Sequence, residues 1–228
     1  MNAPLTGISS MATRQVLAEL TGAYTARTGQ AVAIESVGGV DAAKRVAAGE
    51  AFDVVILASD AIDKLIAAGH LQAGRVDLVR SGVAACVRDG APAPDLSSEA
   101  SVQAALLAAG KISYSTGPSG VALQKLFERW GIAEAMAAKT VQAPPGVPVA
   151  SLVAKGEVAL GFQQLSELLH VPGIAIVGGL PEPIQIVTVF SAGIPVNAPR
   201  AETVRALLAF MTSPDAAEAK RRQGMSPA

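Results

Sequence analysis

Short apolar runs alternate with longer stretches of helical periodicity along almost the whole chain, and that alternation leaves few folds open. The clearest run is FDVVILA at 52–58, apolar at successive positions as in a strand buried on both faces. Before it, a brief strand is predicted at 5–8 and a helix over 13–28, where Val16, Leu17, Leu20 and Tyr24 recur at helical spacing. A strand at 31–35 and a helix over 40–48 follow, with Gly29 and Gly49 as the stops. A helix over 60–68 closes at Gly69. Strand and helix in turn, joined by short loops, predict βαβ units around a parallel sheet.

The second half repeats the scheme with different boundaries. A long extended segment is predicted at 76–88, then a Gly- and Pro-rich loop at 89–95. Helices are predicted at 101–109, 120–130, 133–139 and 147–155, with strands at 112–115 and 159–162. A short helix at 165–169, a strand at 174–177 and a second long extended run at 184–191 come next. Helices at 202–212 and 214–223 end the chain. The reading is α/β: two blocks joined by two extended segments.

Composition narrows the function. Half of the 228 residues are apolar and 4% are aromatic, so Ala, Val, Leu and Ile must fill the core. The net charge of −1 gives no drive toward phosphate backbones, and nucleic acid is not an expected partner. One cysteine, Cys86, excludes an internal disulfide and a cysteine zinc cluster, and its apolar run predicts a buried strand thiol. His70 and His170 both follow helical patterns and read as surface residues. No metal and no cofactor is expected. The start, MNAPLTGISS, has neither the basic patch nor the apolar stretch of a signal peptide. The expected address is therefore cytoplasmic, or periplasmic if a leader has been removed. No apolar run reaches the roughly 20 residues of a membrane span, so no membrane insertion is expected.

Four turns share one physical logic. They are Gly7-Ile8-Ser9-Ser10-Met11-Ala12-Thr13, Glu35-Ser36-Val37-Gly38-Gly39, Ser115-Thr116-Gly117-Pro118-Ser119-Gly120 and Gly161-Phe162-Gln163-Gln164-Leu165-Ser166. Each follows a strand, carries small hydroxyl or amide side chains, and opens a helix. In an open α/β sheet such turns gather at the carboxyl ends of the strands, where ligands bind. Helix N-termini add unpaired N–H groups and about half a positive charge, and glycine lets backbone approach a guest. That combination suits an anion; plain helix capping uses the same residues. Arg14, Lys44 and Arg45 lie just inside helices opened by these turns and could pair with carboxylates. No nucleophile elbow, P-loop or dinucleotide fingerprint is present.

The chain resembles the type II periplasmic solute-binding proteins, and among them the molybdate-binding-like branch. The resemblance rests on AAGEAFDVVILASDAIDKLIAAGHL at 47–71, VDLVRSGVAACVRDGAP at 76–92, LVAKGEVALGFQQLSELLHVPGIAIVGGLP at 152–181 and IQIVTVFSAGI at 184–194. It implies two Rossmann-like lobes with a ligand cleft between them. One lobe would take residues 1–80 plus 190–228, the other 81–189, with hinge segments near 78–86 and 184–192. Ligand contacts would come from Ser9, Ser10, Ser36, Gly38, Gly39 and Arg14 in the first lobe. Ser115, Thr116, Ser119, Gln163 and Gln164 would supply them in the second. Near Phe162, molybdate binders carry a tyrosine whose hydroxyl reaches the oxyanion, and phenylalanine has none.

Two functions fit the resemblance. The first is a solute-binding protein for a small oxyanion or carboxylate, a sensor or the binding component of an ABC permease if exported. The second is an isomerase on the same scaffold acting on an unsaturated carboxylate, since aconitate isomerase is similar to this branch. An isomerase needs cations, which Arg14 and Arg45 could supply, and a base. No residue stands out as that base; Glu35, Asp41 and Asp60 are the carboxylates nearest the turns.

Overall fold

A computed structural model describes residues 3–143 and 147–228 and divides the chain into two compact units, Met1–Ser81 with Val189–Ala228 and Gly82–Thr188. The chain leaves the first unit within one strand, β4, and returns within another, β8.

In the first unit β1 (Leu5–Ser10) lies between β2 (Val32–Val37) and β3 (Val54–Ala58), all parallel. Helices α1 (Arg14–Thr28), α2 (Gly39–Ala47) and α3 (Ser59–Ala67) make the crossovers. Side chains alternate across β3 as a strand requires. Val54 and Ile56 join Leu17 and Leu20 of α1 and Leu207 of α9 (Ala201–Thr212), whereas Val55 and Leu57 join Val46 of α2 and Ile62 of α3. Both faces of the sheet are thereby covered, which is why FDVVILA is apolar throughout.

The parallel sheet expected from the sequence is corrected to a mixed one. The strand β8 (Val187–Gly193) runs antiparallel to β3. The strand β9 (Met225–Pro227), unforeseen in the sequence, runs antiparallel to the start of β4 (Val76–Arg88). Between α9 and β9 lies α10 (Ala217–Arg222), whose Lys220 is 2% exposed and donates to the Leu78 carbonyl at 2.8 Å. Apolar periodicity marks which segments are strands but carries no sign for their direction.

A buried ion pair ties the first unit together. Asp53, just before β3, accepts from Thr6 N–H at 2.7 Å, Thr6 Oγ1 at 3.0 Å and Arg200 Nε and Nη2 at 3.1 and 2.5 Å. Its side chain is 3% exposed. Burial raises its pKa, but the hydrogen bonds from Arg200 and Thr6 outweigh that and hold it below the ordinary carboxylate range.

In the second unit β6 (Leu160–Gln164) lies between β5 (Ile112–Tyr114), parallel to it, and the latter half of β4, antiparallel; β7 (Ile174–Gly179) pairs with β4 on its other side. One face packs on α4 (Glu99–Ala108), α5 (Pro118–Arg129) and α6 (Ala133–Lys139) through Leu106, Phe127 and Met136. The other packs on α7 (Val149–Ala154) and α8 (Leu165–Leu168). Cys86 lies in that second layer, fully buried, its thiol pushed by burial up to about 12, so it is inert at neutral pH.

Candidate functional site

The turns of the first unit converge. Ser9 and Ser36 are the penultimate residues of neighbouring strands and occupy partnered positions of the β1–β2 ladder. Their hydroxyl oxygens lie 2.8 Å apart, with Ser9 fully buried and Ser36 partly so. Ser10 accepts from the Ala12 N–H at 3.4 Å, capping the short 3-10 turn that precedes α1. A Cβ built on Gly39, the first residue of α2, would stand 3.7 Å from the Ser10 hydroxyl oxygen, so that N-terminus approaches the serine closely. Gly38 is the cap residue of α2, with Asp41 folded back over it in the first turn. Arg14 is exposed and lines, together with Ser36, a groove of about 720 Å³ between α1 and β2.

The second unit carries a matching device. Ser115 and Ser119 hold their hydroxyl oxygens 2.9 Å apart, across the turn that opens α5. Gly120 makes that turn possible: a Cβ there would lie 1.6 Å from the Ser115 carbonyl oxygen. Thr116 is exposed on the same turn.

Gln163 and Gln164 belong to β6 rather than to a loop, which corrects the expected strand end. The strand persists because both residues pair with β4, at Ala84 and Val83, and are buried. Gln164 donates to Thr188 Oγ1 at 2.8 Å, and its Oε1 is buried with no hydrogen-bond partner. A buried amide end without a partner is costly unless water or a ligand fills the role. Gln163 accepts from Ala150 N–H at 3.4 Å and donates to Glu167 Oε1 at 2.8 Å.

Glu167 is the residue that the sequence reading missed. It is partly buried on α8, and burial outweighs the lowering effect of Gln163 to push its carboxyl up to about 7. Its sequence signal is slight: a carboxylate four residues after a glutamine, at the start of a short helix.

Other expectations are redirected. Arg45 is not free for a guest: it forks onto Glu35 at 2.9 and 2.8 Å and reaches Glu50 at 2.6 and 2.5 Å. The same contacts engage Glu35 and hold its carboxyl low, which removes it as a base. Asp60 is exposed and lies 3.9 Å from Lys64. Phe162 is buried in the unit's core. His170 is exposed, whereas His70 is partly buried. Among the described residues no group of three or more His, Cys, Asp or Glu could hold a metal ion, and no helix is long and apolar enough to cross a membrane.

Doubly wound α/β units with hydroxyl-lined turns at the strand ends define a solute-binding scaffold of the type II periplasmic kind. The chain belongs to the bacterial extracellular solute-binding protein family, whose profile matches residues 5–226. Over 230 residues it is 40% identical to the aconitate isomerase of a Pseudomonas species, covering 98% of this chain and 87% of that one. Its fold is similar to the periplasmic molybdate-binding protein of Azotobacter vinelandii, with a TM-score of 0.82 at 20% identity, covering 98% and 99% of the two chains. It is also similar to the sulfate-binding protein of Mycobacterium tuberculosis, with a TM-score of 0.81 at 15% identity, covering 100% and 88%.

Proposed function

We propose that this chain binds a small unsaturated polycarboxylate and shifts its double bond, an isomerase of the aconitate type built on a solute-binding scaffold. The observation that carries the recognition step is the pair of hydroxyl–hydroxyl contacts, Ser9 with Ser36 and Ser115 with Ser119, one at the strand ends of each unit. Uncharged donors of this kind accept an anion without a resident cation, and Arg14 beside Ser36 adds one full charge for a polycarboxylate. Val40 and Val121 are 51% and 48% exposed, in the first turns of α2 and α5 just past those serines. Apolar surface beside the donors suits an anion with a hydrocarbon body better than a spherical oxyanion. The full-length likeness to aconitate isomerase favours the same reading.

A second reading, binding without chemistry, is favoured by the family and by the molybdate- and sulfate-binding structural relatives. An exported form of the protein would then serve an ABC permease from the periplasm.

Turnover separates the two. Incubation with cis- or trans-aconitate, followed by ultraviolet absorbance, should show interconversion, and thermal shifts should rank aconitates above molybdate, tungstate and sulfate. Ser36→Ala should weaken aconitate binding by about 0.5–1.5 kcal/mol, the net worth of a neutral hydrogen bond. Binding of molybdate or sulfate with no aconitate turnover would refute the isomerase.

A further inference from the structure

We propose that Glu167 is the general base and acid that carries the migrating proton, an inference that rests on the isomerase reading above. The carboxyl is held in place by one buried amide at the end of a strand. Gln163 is the penultimate residue of β6 and is 5% exposed. Its Oε1 is occupied by the Ala150 N–H of α7, so the amide can turn only its Nε2 toward Glu167. That donor fixes Glu167 Oε1 and leaves Oε2 as the oxygen that takes a proton. The short loop-free step from β6 into α8 puts the carboxyl at the carboxyl end of a strand, where ligands of open α/β sheets bind.

Electrostatics agrees with the geometry. Burial and Gln163 are the influences on the group, and no charge from α7, β6 or its own helix enters. The titratable groups that flank the packed elements are Lys155 and Glu157, between α7 and β6, and His170, just past α8, and all three are exposed. A carboxyl near neutrality is half ionised at working pH, which is what a group that must both take and return a proton requires. Asp41 and Asp60 are in the other unit, on helices with solvent access.

The step balances without an outside reagent. Glu167 takes a proton from the methylene carbon beside the double bond. The C–H electron pair forms the new C=C. The old π pair shifts to its far carbon, which takes the proton back from Glu167. No atom is gained or lost, and the carboxylate is regenerated.

Glu167→Gln keeps the shape and the Gln163 contact but cannot take a proton; Glu167→Asp keeps the acid and shortens it. Both are compared with wild type using cis- and trans-aconitate. Turnover is followed by absorbance, methylene exchange by NMR in deuterium oxide, and binding by calorimetry. Expected is a loss of 10²–10⁴-fold in turnover and exchange for the glutamine variant, the usual worth of a general base. Binding should stay within threefold, the aspartate should restore part of the rate, and wild-type kcat/KM should rise through about pH 7. Equal turnover in wild type and Glu167→Gln would overturn the assignment alone. Wild type with neither turnover nor exchange would overturn the isomerase reading and this inference with it.

Discussion

Replacing Glu167 by glutamine should also change how the fold's stability depends on pH, and that effect can be measured without any substrate. In the unfolded chain the carboxyl titrates near the ordinary 4.5, whereas in the fold burial lifts it to about 7. Its folded pKa is raised, so the fold favours the protonated form. The favourable contribution is complete below 4.5 and is lost as pH climbs through about 7. Moving a carboxyl over that interval corresponds to on the order of 3 kcal/mol, and its partial exposure reduces this to about 2. Glutamine does not titrate. The stability difference between Glu167→Gln and wild type should therefore grow in favour of the variant by about 2 kcal/mol between pH 4.5 and pH 8. Urea unfolding at several pH values measures it, using the shift in midpoint multiplied by the slope. Asp53, Asp77 and Glu99 are held low, so they act at more acid pH and cancel in the difference. A difference that stays flat to within about 0.5 kcal/mol would show that Glu167 is solvated like a surface acid, and the reasoning for its role as a base would lose its physical support.

Arg200→Ala should cost about 3 kcal/mol in urea unfolding, because it strands the buried Asp53 carboxylate with Thr6 alone. Asp53 is held low in the wild type, so its contribution is present at neutral pH and disappears as pH falls through its folded pKa; the variant should lack that acid-sensitive increment. Gly120→Ala should destabilise by about 3 kcal/mol or more and abolish ligand-induced thermal shifts, since the new Cβ would overlap the Ser115 carbonyl and displace the serine pair.

Much of the architecture could be read from the alternation of apolar runs and helical stretches. The bounds of β4 at 76–88 and of α6 at 133–139 are legible to the residue. What escaped has physical causes. The strand β9 holds only three residues, one of them Pro227, so no periodicity could reveal it. Gln163 and Gln164 look like loop residues because two polar side chains in a row break the apolar run of the strand; tertiary pairing to β4 carries the strand through them. The engagement of Arg45 with both Glu35 and Glu50 needs β2 and the end of α2 in one place, which spacing along the chain does not show. Ser9 and Ser36 read in the sequence as members of two separate anion-binding turns; their 2.8 Å contact is a property of the β1–β2 register. Glu167 stayed hidden because a carboxyl's depth cannot be inferred from its neighbours in sequence.

The Ser9–Ser36 contact has a consequence for selectivity that follows from counting hydrogens. Two hydroxyls bring two protons, and one of these is spent on the bond between them. When Ser9 donates instead to the Ser10 carbonyl at 3.4 Å, Ser36 donates to Ser9 and no proton is left over. In the proposed site, an arriving carboxylate would draw the Ser9 proton onto Ser36 and receive the Ser36 proton. A guest hydroxyl meets a lone pair. If these serines meet the guest as proposed above, the same two atoms would serve either kind by rotating about C–O bonds, with no ionisation of their own, and discrimination would fall to shape and to the charge of Arg14.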